Sequence, residues 1–104
     1  METSRLETLK SLVAQNPGDS FARYGLAMEH RGAGDLEAAA AEFQALLEAN
    51  PDYAGAYFHY GQTLLRAGRK DEACEVYRKG IEVTSRLGNS HARSELEGAL
   101  EMLG

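Results

Sequence analysis

The sequence predicts an all-α fold built from repeated helix–turn–helix units, and three observations carry that prediction. Its 16 Ala and 13 Leu stand against three Val and one Ile, so good helix formers abound while strand formers are scarce. Shifting the chain by 34 residues aligns Pro17 with Pro51, Leu26 with Tyr60, Ala27 with Gly61, Gly34 with Gly68, Ala39 with Ala73, Phe43 with Tyr77 and Leu47 with Ile81. Finally, glycine and proline fall between stretches of helical periodicity, where turns belong. At 104 residues the chain makes one domain, long enough to bury roughly two-thirds of its unfolded surface.

The first element is marked by Ser4-Arg5-Leu6-Glu7, a capping box that opens a helix. Leu6, Leu9, Leu12 and Val13 give it one apolar stripe, which stops at Asn16-Pro17. By the repeat offset this is the second helix of a unit that lacks its first. A helix over 20–32 follows, with Phe21, Tyr24 and Met28 on one stripe and Leu26, Ala27 and His30 on another. Arg31-Gly32-Ala33-Gly34 closes it, and Asp35 is placed to cap the next helix, which runs to about Ala49 before Asn50-Pro51. The second unit repeats the plan, with a helix from Ala54 to Ala67, a turn at Gly68 and a helix from Lys70 to Leu87. Gly88 breaks the chain, Asn89 or Ser90 caps a last helix, and Leu96, Ala99, Leu100 and Leu103 form its apolar edge. The expected organisation is a partial unit over 1–17, full units over 18–51 and 52–85, and a capping helix over 86–104. Three helix pairs are the usual minimum for a stacked array.

These residues resemble the tetratricopeptide repeat family, whose pattern is a large aromatic, Leu-Gly, a further aromatic, Ala, an aromatic and Pro at set spacings. The second unit matches with Tyr57, Tyr60-Gly61, Leu64, Ala73 and Tyr77, and Ser85 in place of Pro lets its last helix continue to Leu87. The first matches with Leu26-Ala27, Ala39, Phe43 and Pro51, but Arg23 stands where the family prefers Trp, and His30 where it prefers Tyr. The layout is similar to that of small stand-alone bacterial proteins with few such repeats. The resemblance implies a right-handed α-α superhelix of about six helices. Small residues should mark close crossings, with Ala39 and Ala73 meeting Ala27 and Gly61, while Phe43 and Tyr77 fill the space between neighbouring pairs.

The resemblance also implies a concave groove lined by the first helices of successive units. It maps that surface to Phe21, Tyr24, Met28 and Arg31 on one helix and to Gly55, Phe58, Gln62, Leu65 and Arg66 on the other. Such a surface suits an apolar anchor with a nearby carboxylate on a peptide or helix of a partner protein. The plainer alternative is that neighbouring helices cover these side chains as core. The family's grip on an acidic chaperone tail through Lys and Asn is not expected, because Tyr24 and Met28 replace those residues and His59 stands where Asn would be.

Other functions find little support. The formal charge of −5, without a basic block, argues against nucleic acid as a partner. It arises entirely before residue 53, and the run Asp35, Glu37, Glu42, Glu48, Asp52 reads as the solvated side of an outer helix. His30, His59 and His91 offer no i, i+4 pair for a metal. Cys74, one turn before Arg78, reads as an idle thiol, and Glu95, Glu97 and Glu101 as a solvated face. Arg66, Arg69, Lys70, Arg78 and Lys79 are interleaved with acids, which points to surface ion pairs. No catalytic, cofactor or metal site is expected. One Cys forms no internal disulfide, and no apolar run approaches the length of about 18 residues that spans a bilayer, so a soluble cytoplasmic protein without membrane contact is expected. The competing expectation is a structural homo-oligomer subunit, such as a homodimer, that associates through apolar surface on its terminal helices, including Leu100, Met102 and Leu103.

Overall fold

The computed structural model describes residues 4–104, so positions 1–3 of the expected N-terminal partial unit lie outside the described residues. Among the described residues there are six helices and no strand: α1 (Arg5–Gln15), α2 (Ser20–Gly32), α3 (Leu36–Ala49), α4 (Gly55–Arg66), α5 (Lys70–Leu87) and α6 (Ser90–Glu101). Four of them start on a side chain that accepts a free backbone N–H. Ser4 accepts from Glu7 at 3.1 Å, Asp19 from Ala22 at 3.1 Å, Asp35 from Ala38 at 3.2 Å and Asn89 from Ala92 at 3.1 Å. Each such cap is worth about 1 kcal/mol. Asn89, not Ser90, therefore caps the last helix, and the cap of α2 by Asp19 was not foreseen. The turns after α2 and α4 use Gly34 and Gly68 at φ +83° and +79°, a backbone shape that residues with a Cβ rarely adopt.

Successive helices pack in turn, α4 also touches α6, and side chains of α2 reach α4 where Tyr24 and Arg31 meet His59. The helices α2, α4 and α6, termed the inner layer, have α3 and α5 packed against them. Phe43 of α3, fully buried, stacks on Tyr60 of α4 at 5.8 Å and meets Tyr24 of α2 edge-on at 6.2 Å. It joins the two helix pairs as its spacing implied. Tyr77 does the same at the next junction, where it clusters with Leu96 of α6, and its ring also lies directly on Gly61 inside the α4/α5 pair. Ala73, expected opposite Gly61, packs instead with Ala40 and Leu64. A ring fills the gap that the small residue leaves.

Gly80 makes a second close approach that the repeat offset hides, because its counterpart is the bulky, buried Leu46. A Cβ there would stand 2.7 Å from Tyr57 Cβ and 2.9 Å from Leu96 Cδ1. The difference follows from helix length. α5 has 18 residues against 14 in α3, and the added turn, permitted by Ser85, lets α6 fold back with Leu96 over Gly80.

The acidic run is more than a solvated edge. Glu42 pairs with Arg23 at 2.7 Å, Glu37 with Arg69 at 2.8 Å and Asp52 with Arg86. Three of its five carboxylates thus tie together elements far apart in sequence. Arg23 also donates to the Pro17 carbonyl at 3.3 Å, while the Tyr57 hydroxyl donates to the Pro51 carbonyl at 2.6 Å. Arg23 and Tyr57 are one repeat apart, as are the two prolines, so the residue that breaks the aromatic pattern keeps its hydrogen bond. No helix of the described residues is long and apolar enough to cross a membrane.

Candidate binding face

Of the residues singled out on α2 and α4, all but Gly55 line cavities, but they do not line one continuous groove. Phe21, Tyr24 and Met28 face a cavity of about 380 Å³ shared with Arg5, Leu9 and Leu12 of α1. Met28, Arg31 and Arg66 surround a smaller one of about 210 Å³ with Gly32. Phe58, Gln62 and Leu65 line a third of about 490 Å³, closed on its far side by Glu95, Ala99, Met102 and Leu103. The contribution of α6 was not anticipated, because its placement follows from the added turn of α5 and not from the 34-residue offset.

Exposure separates these side chains. Phe21 is 78% exposed, an unusual position for a phenyl ring at the foot of a helix. Tyr24, Met28, Phe58 and Leu65 are half-buried, as is Gln62, whereas Arg66 is exposed. Tyr24 carries a structural load beside any binding role. It packs on Phe43, on Tyr53 at 5.5 Å and on His59 at 6.0 Å, and burial followed by the neighbouring Tyr53 raises its hydroxyl pKa, which Arg31 partly opposes. The alternative expectation of core burial therefore holds in part for Tyr24 and not for Phe21.

Between the two larger cavities lies a polar crossing from α2 to α4. Arg31 donates to His59 Nδ1 at 3.0 Å and to Gln62 Oε1 at 2.9 Å. A guanidinium only donates, so Nδ1 is the bare nitrogen of a neutral imidazole and Nε2 carries the proton. The His59 pKa is lowered from its ordinary 6.5, first by burial and then by the Arg31 charge, against a smaller opposing effect of Glu95 on α6. Because the folded pKa lies below the unfolded one, the unfolded chain binds more protons in the interval between them. Stability is then fully present above about pH 6.5 and falls as the pH drops through that interval. Chemical denaturation between about pH 5 and pH 7.5 should show a steeper acid loss for the native chain than for His59→Gln, which has no imidazole to protonate. Parallel curves would refute the assignment.

No group of three or more metal-ligating side chains occurs among the described residues. Cys74 is a free, half-buried thiol. Of the five basic residues expected in surface ion pairs, Arg69 and Lys79 pair with Glu72 and Glu82, whereas Arg66, Lys70 and Arg78 have no carboxylate within 4.0 Å among the described residues; Glu97 pairs with Arg93 at 3.4 Å.

The comparisons with known proteins agree with this architecture. The tetratricopeptide repeat family model matches residues 24–92. A tetratricopeptide repeat domain protein from Salinibacter ruber is 40% identical, with a TM-score of 0.79 over 85% of this chain and 89% of that one. A protein from Bordetella parapertussis is 24% identical at a TM-score of 0.83, over 98% of this chain and 89% of its own. The Yersinia enterocolitica type III secretion translocator chaperone SycD is 17% identical at a TM-score of 0.86, over 94% of this chain and 68% of its own. None of the curated proteins matches the chain. With two helix pairs at a 34-residue offset, glycine turns in register and a family model spanning most of its length, the chain belongs to the tetratricopeptide repeat family.

Proposed function

We propose that this protein is a non-catalytic interaction adaptor whose inner layer receives a peptide or helix of a partner protein. The single observation that carries the reading is the row of apolar side chains that α2 and α4 leave incompletely covered, with Phe21 the most exposed among them. In this reading, units 18–51 and 52–85 form the face and the helix after residue 86 closes its end. Phe21, Tyr24, Met28, Phe58 and Leu65 supply the apolar contact, and Gln62, Arg31 and Arg66 its polar edge. Aromatic anchors in a preformed pocket supply most of the affinity at such surfaces. An interaction role also fits a fold shared with a translocator chaperone.

The rival reading, self-association through the terminal helices, has less apolar surface to use: on α1 Leu12 is the one exposed large apolar side chain among the described residues. Leu100 and Leu103 pack against the cluster of Tyr57, Tyr77, Val83 and Leu96, which leaves Met102, 88% exposed, largely alone.

A photo-crosslinking residue placed at Phe21 or Phe58 should capture a polypeptide in the source cell, whereas the same residue at the exposed position Glu75 on α5 should not. Crosslinks only from Glu75, or only to a second copy of this chain, would refute the adaptor reading.

A further inference from the structure

We infer that the polypeptide received by the inner layer carries an acidic side chain beside an apolar one, and that the acid sits between Arg31 and Arg66. The inference rests on the adaptor reading and adds the chemistry of the partner. Its starting point is an imbalance of charge. Arg5, Arg23, Arg69, Lys79, Arg86 and Arg93 each have a carboxylate within 4.0 Å, whereas among the described residues no acid comes that close to Arg31, Arg66, Lys10, Lys70 or Arg78. Of these five only Arg31 is half-buried, and Arg66 shares a cavity with it.

Arg31 is half-buried, and both of its partners, the neutral His59 and Gln62, are uncharged. Its Nε is buried without any acceptor. A covered guanidinium held only by neutral groups is costly, and a carboxylate is the group that best relieves it. The carbonyl ends of α2 and α4, where the two arginines sit, offset part of this charge but offer about half a unit each.

The space fits the chemistry. The cavity of about 210 Å³ between Met28, Arg31, Gly32 and Arg66 accommodates a carboxylate-bearing side chain, not a helix. Gln62 holds Arg31 and also lines the 490 Å³ cavity with Phe58, Leu65, Met102 and Leu103, so the two subsites share a wall. An apolar side chain of the same segment, next to the acid or a few residues away, would enter that larger cavity. Glu95 stands at its rim and repels an acid placed there, which directs the carboxylate towards the arginines.

The probe is an array of short synthetic peptides, amidated at the C-terminus. Each carries one Leu or Phe with Glu one to three positions away, beside its Gln counterpart. The native chain should bind the better Glu peptides about tenfold or more above their Gln partners, the usual advantage of a charge-assisted hydrogen bond. Arg31→Gln should erase the preference. Since that change also strands His59 and Gln62, Arg66→Gln provides the second variant: it alters an exposed side chain without an acidic partner and should reduce the preference several-fold with thermal stability unchanged. Phe58→Ala should weaken Glu and Gln peptides alike. Equal binding of Glu and Gln peptides, binding of neither, or an unchanged preference in both arginine variants would overturn the inference. So would a free C-terminal carboxylate that substitutes fully for the acidic side chain. Crosslinking from Phe21 and Phe58 decides separately whether the inner layer is used at all.

Discussion

Phe43→Ala is expected to lower the unfolding free energy by about 3–5 kcal/mol, read as an early urea midpoint and a sharply reduced Tm. The ring is fully buried and lies between Tyr60 of α4 and Tyr24 of α2, so truncation removes contacts on both sides of the junction at once. The remaining Cβ cannot draw α4 inward, because Tyr60 and Tyr24 are fixed on other helices. Phe21→Ala serves as the internal control. Its ring is mostly in water, and the same truncation there should change stability by no more than about 0.5 kcal/mol. Comparable losses at the two positions would contradict the packing described above.

Gly61→Ala should also be severe for so small a change. The added carbon would overlap the ring of Tyr77, with Cζ at 2.6 Å and Cδ1 at 2.8 Å, and Tyr77 is only 1% exposed. The ring is packed among Tyr57, Val83 and Leu96, so either it is pushed out of that cluster or α4 and α5 part, at a cost of about 1–3 kcal/mol or more. The matching control is Gly98→Ala on α6, where nothing lies within 4 Å of the new carbon. That substitution should stabilise, by up to about 1 kcal/mol, through helix propensity alone. Differential scanning calorimetry of the two variants checks both signs, and stabilisation by Gly61→Ala would refute the close approach.

The contrast between these glycines shows what the sequence makes legible. Helix limits were readable because their determinants are local: Ser4, Asp35 and Asn89 bond to residues three positions on, and Gly34 and Gly68 act on their own backbone. The 34-residue offset then gave the pairing, because equivalent positions must fill equivalent space. It failed where the units are not equivalent. Gly80 faces Leu46 in the alignment, and only the extra turn of α5, with Leu96 returning over it, explains why one is bare and the other bulky.

The candidate face was legible to the same degree. Each chosen residue on α2 and α4 except Gly55 lines one of three cavities, since helical periodicity decides which way a side chain points. Its division into three cavities was not legible. That depends on α1 reaching Phe21 and on α6 reaching Phe58 and Leu65. Nor does any local signal reveal that the acidic run would meet Arg69, Arg23 and Arg86, which lie 32, 19 and 34 residues from their partners.

The two proline carbonyls carry a last consequence. Pro17 receives a guanidinium from Arg23, and Pro51 a phenol from Tyr57, at matching places in the two units. What the architecture demands at that place is a donor of sufficient reach, and the identity of the side chain is left free. Arg23 uses the freedom to engage Glu42 as well, whereas Tyr57 can only pack. Duplicated segments that share an acceptor on the main chain can thus drift apart in side-chain chemistry without losing their joint. One unit is then fastened by charge and answers to ionic strength; its sibling is fastened by burial and does not.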